Sequence, residues 1–136
     1  MFKSVSIIYP VFNEEKRLKK TFLDIEKFEK KNKFIKKEYI FVNDGSSDQT
    51  LSIIKKKFKN NIRIKVVSYN KNMGKGYALK RGMRVAKNDW VLTTDADCSV
   101  SNFQLTKWIK KKYLNQNNFI YFGSRNHRLS IVKKKN

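Results

Sequence analysis

Cysteine, proline and histidine each occur only once in this 136-residue sequence, and no apolar run is long enough to cross a bilayer. Cys98 by itself excludes an intramolecular disulfide and a zinc site built on cysteines, and it indicates a reducing compartment. The N-terminus lacks the organisation of a signal peptide. We therefore expect a cytoplasmic chain that is soluble or peripheral on the cytoplasmic face of a membrane.

Acidic residues are also scarce, because 11 Asp and Glu stand against 32 Lys and Arg, for a formal net charge of +21. This charge attracts anionic partners, such as nucleic acid, an anionic membrane surface or a phosphorylated small substrate. Residues 98–136 contain nine lysines and arginines and no carboxylate. We expect most of the lysines to lie on solvated helix faces.

The residues that are abundant predict a folded α/β domain. Hydrophobic residues make up 40% of the chain, which excludes the composition of an intrinsically disordered protein. Runs rich in β-branched and aromatic residues predict five strands, at residues 5–9, 39–42, 64–69, 90–94 and 119–122. Apolar residues at helical spacing lie between these runs. The alternation predicts a mostly parallel sheet with helices on both faces and ligands beyond the carboxyl ends of its strands.

The first two predicted strands each end in a polar motif. The first runs into P-V-F-N-E at residues 10–14, where Asn13 and Glu14 either face a ligand or cap the following helix. The second runs into V-N-D-G-S-S-D-Q-T at residues 42–50. Gly45 permits a tight turn there, and Ser47 or Asp48 can cap the next helix. Asp44 precedes that cap and is predicted to accept hydrogen bonds from a base or ribose.

The third predicted strand is followed by N-M-G-K-G-Y-A-L at residues 72–79. Two glycines that open a helix can bring backbone amides close to a phosphate, although such a pair often marks only close helix packing. The spacing is not that of a Walker loop. Lys75 and Arg81 are predicted diphosphate contacts.

The fourth predicted strand leads into T-T-D-A-D at residues 93–97 and gives the sharpest signal. In an extended backbone, residues two apart face the same side, so Asp95 and Asp97 can converge on one hard cation. Such a cation would bridge a diphosphate and stabilise the charge that develops on it as it leaves. The alternative is an exposed turn with two solvated aspartates.

Taken in this order at these strand ends, the four motifs resemble glycosyltransferase family 2, whose members have the Rossmann-like GT-A fold. The segments G-K-G-Y-A-L-K-R-G-M and F-G-S-R look most like the dolichyl- and polyprenyl-phosphate sugar transferases. The resemblance implies a nucleotide-sugar site with Mn²⁺ or Mg²⁺ and inversion at the anomeric carbon. The residues that it implies are Pro10, Asn13 and Glu14 lining the nucleotide, Asp44 at the base or ribose, Asp95 and Asp97 on the metal near the diphosphate, and Arg125 near the phosphate-bearing substrates. With Lys75 from the third motif, Asp95 is also counted among the nucleotide-sugar-binding residues.

Compared with members of this family that use a sugar hydroxyl as acceptor, the sequence lacks an acidic general base after the metal motif. Family members that use a sugar hydroxyl as acceptor supply a downstream aspartate as general base, and here His127 is the only titratable substitute. Either the acceptor is a lipid phosphate, which attacks already deprotonated, or the chain stops before the acceptor half of the fold. Because family members continue well past this point, we expect a C-terminal truncation, with residues 1–126 as the nucleotide-sugar-binding part and residues 127–136 as a basic tail.

The function predicted from the sequence is therefore transfer of a hexose from a nucleotide diphosphate sugar to a polyprenyl-phosphate or related acceptor at an anionic membrane surface. One alternative is a noncatalytic remnant that binds nucleotide sugar. The other is a basic nucleic-acid-binding module, but no recognisable reader motif supports specific nucleic-acid binding.

Overall fold

The computed structural model describes residues 2–114 and 120–121, and in that part strands and helices alternate as predicted. The elements are β1 (Ser4–Val11), α1 (Leu18–Lys31), β2 (Lys36–Asp44), α2 (Thr50–Lys57), β3 (Ile64–Tyr69), α3 (Lys75–Val85), β4 (Trp90–Thr93) and α4 (Phe103–Lys110). Among the described residues, no helix is long and apolar enough to cross a membrane.

The four strands form one parallel sheet in the order β3-β2-β1-β4. β1 is central, and its Ile8 lies between Ile40 of β2 and Thr93 of β4. The chain moves outward from β1 to β3 and then returns to the other side of β1. This reversal opens a crevice at the carboxyl ends of β1 and β4, which is where parallel α/β sheets bind their ligands.

Helices cover both faces of the sheet because alternate strand residues are buried on opposite sides. One core cluster joins Ile7 and Phe41 of the strands to Leu18 of α1, Ile54 of α2 and Leu105 of α4. The other cluster consists of Ile8, Ile40, Val42 and Ala78, and so sets α3 against the opposite face. The predicted α/β architecture with a parallel sheet and helices on both faces is confirmed.

Glu38 of β2 anchors the connection between α3 and β4. Its buried carboxylate accepts hydrogen bonds from Ser6 Oγ at 2.7 Å and from the backbone amide of Lys87 at 2.8 Å. Lys65 of β3 lies 2.6 Å from its other oxygen. Burial opposes ionisation, but the hydrogen bonds from Lys65, Ser6 and Lys87 outweigh it, so the pKa of Glu38 is lowered.

Some predictions fall on residues that the structure does not describe. Arg125, His127 and the tail at residues 127–136 lie outside the described ranges. Of the fifth predicted strand, only Ile120 and Tyr121 are described, and neither is in a strand. Tyr121 contacts Trp90 of β4, with ring centroids 5.9 Å apart. The strand and the domain boundary at residue 126 stay predictions.

Candidate functional site

The carboxyl edge of β1 and β4 holds a cavity of about 200 Å³. Pro10 from β1, Lys75 from α3 and Asp95 from the loop after β4 line its mouth, while Leu92 and Trp108 contribute apolar surface. The structure thus brings together predicted site residues that are as far as 85 positions apart in the chain. The cavity is therefore lined by apolar surface together with one cationic side chain, Lys75, and one anionic side chain, Asp95.

A second cavity, of about 240 Å³, lies beside the start of β3. Its charged lining is already paired, because Glu29 accepts a hydrogen bond from Tyr39 Oη at 2.8 Å and one from Arg63 Nη1 at 2.6 Å. None of the sequence motifs contributes to it. We therefore place the candidate site at the carboxyl edge.

Hydrogen bonds between motif residues join the loop after β1 to the loop after β2. Asn13 has a positive φ of 51°, its amide donates to Ser46 Oγ at 3.0 Å, and its Oδ1 accepts from the Ser47 amide at 2.9 Å. The Glu14 amide donates to Thr50 Oγ1 at 2.8 Å. The side-chain oxygen of Asn13 thus fixes the second loop, and its role at the nucleotide stays a prediction.

Asp48, one of the two residues predicted to cap α2, lies one position before the N-cap of that helix, which is Gln49. Its Oδ1 accepts a hydrogen bond from the amide of Thr50, the first residue of that helix, at 2.9 Å. The hydrogen bonds around this carboxylate outweigh the effect of burial and lower its pKa. Asp48 therefore has a structural role in this loop.

Glu14 is the carboxylate of the first loop that faces the acidic turn after β4. Burial raises its pKa, and the charges of Asp97 and Asp95 raise it further, whereas Arg17 opposes the shift. Arg17 Nε lies 2.7 Å from Glu14 Oε2. The negative charges of both aspartates therefore reach Glu14 at this edge, which favours an environment that accepts positive charge.

Asp44 is buried at the end of β2 and organises the loop before α3. Its carboxylate accepts hydrogen bonds from the amides of Met73 at 2.7 Å and Gly74 at 2.9 Å, and from Asn72 Nδ2 at 3.1 Å. The backbone amides of Met73 and Gly74, which could bind a phosphate at the start of α3, are thus already hydrogen-bonded to the Asp44 carboxylate. The predicted contact of Asp44 with a base or ribose stays a prediction.

Lys75 and Asp95, both predicted at the nucleotide sugar, form an ion pair. Lys75 Nζ lies 2.5 Å from Asp95 Oδ1, and the two side chains are 61% and 50% exposed. Because the pair is open to solvent, either partner can exchange the other for a ligand at small cost. Arg81 differs, since its guanidinium packs on the rings of Tyr69 and Tyr77 and does not line the cavity.

The backbone that carries the two aspartates is not extended as we predicted. β4 ends at Thr93, and the amide of Cys98 donates to the carbonyl of Asp95 at 3.3 Å, so residues 95–98 form a turn. Asp97 Oδ1 accepts from the amide of Ser99 at 2.8 Å and from its Oγ at 2.6 Å. The strand-based reason for their convergence was therefore wrong, although both aspartates act on Glu14.

The donor set at this edge suits a hard divalent cation. Asp95 and Asp97 offer carboxylate oxygens, which Mg²⁺ and Mn²⁺ prefer, and both raise the pKa of Glu14 through charge that a cation would neutralise. In the described part of the chain, no three His, Cys, Asp or Glu side chains already converge at coordinating distance. The two aspartates would thus hold a cation together with non-protein oxygens.

Sequence reasoning missed several residues that build this site. Thr21 and Asp24 of α1 contact the turn and loop after β4, and Phe12 is an exposed aromatic residue in the first loop. Helical spacing gave no sign of the α1 contacts, because they join residues more than 70 positions apart. Phe12 lay inside a motif, and its exposure distinguishes it from the buried Val11 beside it.

The fold and this arrangement of motifs define a glycosyltransferase of the GT-A class. The chain matches glycosyl transferase family 2 over residues 6–134, and it therefore belongs to that family.

Among its relatives, the chain is 35% identical over 128 residues to the dolichyl-phosphate beta-glucosyltransferase ALG5A of Trichomonas vaginalis, covering 89% of this chain and 40% of that protein. It is 35% identical over 103 residues to the human dolichyl-phosphate beta-glucosyltransferase, covering 70% of this chain and 31% of that one. The chain thus spans 40% or less of the length of these two relatives.

Solved structures agree on the fold. TarS residues 1–349 from S. aureus, in complex with UDP-GlcNAc, superposes with a TM-score of 0.66 at 27% identity, covering 79% of this chain and 30% of that one. The mannosyltransferase PcManGT from Pyrobaculum calidifontis, in complex with GDP-Man and Mn²⁺, gives a TM-score of 0.66 at 24% identity, covering 78% and 31%. The expected GT-A fold is confirmed.

Proposed function

We propose that this chain carries the nucleotide-sugar site of an inverting glycosyltransferase that transfers a hexose from a nucleotide diphosphate sugar to a polyprenyl-phosphate. The observation that carries the proposal is the pairing of Asp95 with Lys75 at the cavity beside Pro10, at the carboxyl edge of the sheet. The named activity of the dolichyl-phosphate beta-glucosyltransferases supports the hexose and the acceptor class, and the complex of TarS with UDP-GlcNAc supports the donor class.

The diphosphate of the donor would lie against Asp95, Asp97 and Lys75. Asp95 and Asp97 would hold Mn²⁺ or Mg²⁺, which neutralises charge on the departing nucleoside diphosphate. Lys75 can release Asp95 to that cation and place its ammonium on a phosphate oxygen, because the present ion pair is exposed. Glu14 adds negative charge beside the two aspartates and so favours cation binding.

The nucleoside would lie along the loops that follow β1 and β2. Pro10, Asn13 and Glu14 would line it, with the exposed ring of Phe12 free to pack against a base. Asp44 would contact the base or ribose while its carboxylate holds the loop at residues 72–74 in place. Motif residues in this proposal both shape the pocket and contact the ligand.

The acceptor would be a lipid phosphate. The relatives named dolichyl-phosphate beta-glucosyltransferases support this acceptor class. A phosphate monoester is largely dianionic near neutral pH, since its second pKa is about 6, and it needs no protein base. The net charge of +21 favours approach to an anionic membrane that carries such an acceptor.

Thermal unfolding with UDP or GDP, in the presence of Mn²⁺ or EDTA, tests the nucleotide site. We expect one nucleotide with Mn²⁺ to raise Tm by roughly 5–10 °C at about 100 times its Kd, and EDTA to abolish the rise. Asp97→Ala should abolish it as well, because it removes a cation ligand. Glu26→Gln is the matched control, since Glu26 pairs with Lys57 on an exposed surface.

Equal stabilisation by nucleotide in Mn²⁺ and in EDTA would contradict the metal role. Stabilisation that any polyanion reproduces and that falls steeply with salt would support the nucleic-acid alternative instead.

A further inference from the structure

The segment that follows β4 is hydrogen-bonded to α1, which precedes it by more than 70 residues. Thr106 Oγ1 of α4 donates to Asn32 Oδ1, just past the end of α1, at 2.9 Å. The rings of Phe28 and Phe103 meet edge to face, with centroids 5.5 Å apart. α1 therefore supports the start of α4 as well as the acidic turn before it.

Two side chains one turn apart on α1 fix both ends of the segment 96–102. Thr21 Oγ1 donates a hydrogen bond to the carbonyl of Ala96, the residue between the two aspartates. Asp24 accepts hydrogen bonds from Ser101 Oγ and, at 2.9 Å, from the amide of Asn102. The two contacts enclose the turn that bears Asp97.

The contact of Thr21 is buried, whereas the hydrogen bonds of Asp24 are partly buried. Thr21 and Ala96 are 0% and 2% exposed, so loss of the hydroxyl would leave the Ala96 carbonyl unpaired away from water. Asn102 is also buried, and its Nδ2 donates to Tyr9 Oη of β1 at 2.5 Å. The far end of the segment is thereby tied to both α1 and the central strand.

Between these two fixed ends, Cys98 has a φ of +52°, a conformation that residues other than glycine seldom adopt. The surrounding contacts must hold such a residue in place. A change at either end of the segment should therefore shift Asp97.

We propose that Thr21 and Asp24 are positioning residues that fix the Asp95 and Asp97 turn in the geometry required for the divalent cation. The inference rests on the proposed function for its metal. It gives a role to two residues of α1 that lie outside all four sequence motifs. Outer contacts of this kind commonly change metal affinity 10-fold to 100-fold when they are removed.

Mn²⁺ binding to the 136-residue chain, measured by electron paramagnetic resonance, tests the proposal. We expect Thr21→Val and Asp24→Asn each to weaken binding by about 10-fold or more. Thr21→Ser, which keeps the hydroxyl, should restore affinity to near the wild-type value. Glu26→Gln, on the same helix but paired with exposed Lys57, should leave affinity unchanged.

Amide hydrogen exchange in the metal-free chain supplies a second readout. Faster exchange confined to residues 96–101 in Thr21→Val and Asp24→Asn is expected, whereas a purely global loss of stability would raise exchange throughout. If the wild type binds Mn²⁺ and both variants bind it within twofold, with unchanged local exchange, the positioning role is overturned. If the wild type shows no Mn²⁺ binding that Asp97→Ala removes, the proposed function is overturned instead.

Discussion

Two acidic residues of β2, Glu38 and Asp44, are buried, and each holds a distant piece of the chain. Glu38 accepts hydrogen bonds from Ser6 and the Lys87 amide, whereas Asp44 accepts them from the loop at residues 72–74. A buried carboxylate is tolerated only when donors satisfy it. At the scale of single residues, these two buried carboxylates therefore hold connecting loops in place.

The lowered pKa of Glu38 makes part of the protein's stability depend on pH. A carboxylate with a lowered folded pKa stabilises the fold above its ordinary pKa of 4.5, and this contribution is lost as pH falls through the folded value. We expect Glu38→Gln to cost about 1–3 kcal/mol of unfolding free energy at pH 7. The difference from wild type should shrink below pH 4.5, as measured by urea unfolding.

Glu26→Gln is the control for this prediction, because its partner Lys57 and its own side chain are 41% and 43% exposed. It should change stability by less than about 1 kcal/mol. A Glu38→Gln variant as stable as wild type at pH 7, or a difference that grows on acidification, would contradict the account of Glu38.

At the scale of elements, α3 lies closest to the sheet through Gly82. A Cβ at this position would lie 2.6 Å from Ile8 Cγ2 and 3.1 Å from Val42 Cγ2. A Cβ at Gly76 in the same helix would meet nothing within 4 Å. The helix therefore contains one glycine that the packing requires and one that it does not.

This contrast predicts opposite effects of one substitution at two sites of α3. Gly82→Ala should destabilise the protein by about 1–3 kcal/mol, because the methyl group must displace Ile8 or move the helix. Gly76→Ala should stabilise it by about 0.5 kcal/mol, because alanine loses less entropy in a helix. Chemical denaturation of both variants measures the difference, and equal effects would rule out close packing at Gly82.

Strand positions could be predicted from the sequence, but strand lengths could not. The apolar run at residues 39–42 predicted β2, yet the strand extends over Lys36–Asp44 and includes charged residues at both ends. Lys37 is buried because its ammonium donates to the carbonyls of Asn32 at 2.7 Å and Ile35 at 3.1 Å. Pairing of charges with nearby backbone is invisible to a hydrophobic pattern.

At the scale of the whole molecule, the sequence predicted the edge of the sheet at which the candidate site residues meet, but not how these residues contact one another. Parallel topology brought Pro10, Lys75 and Asp95 to one cavity, as expected from strand ends. Nothing in the sequence indicated that Asp44 would accept hydrogen bonds from the amides before α3, or that Lys75 would form an ion pair with Asp95. Those contacts depend on loop conformations that no local pattern encodes.

The positive charge of the molecule lies mainly on exposed helix faces. The lysines of α1 and α2 are exposed, as predicted for solvated helix faces. Lys37 of β2 is buried instead, and this burial lowers its pKa in spite of the nearby Glu29. The large positive charge is therefore mainly a surface property of these helices, whereas the candidate site lies at the carboxyl edge of the sheet.

A crystal structure with Mn²⁺ and a nucleoside diphosphate, collected at a wavelength that reveals the metal, tests the central claim most directly. We predict an anomalous peak within about 2.5 Å of oxygens from Asp95 or Asp97, with the diphosphate on its other side. Nucleotide bound at another surface, or bound here with no metal between it and the two aspartates, would contradict the account.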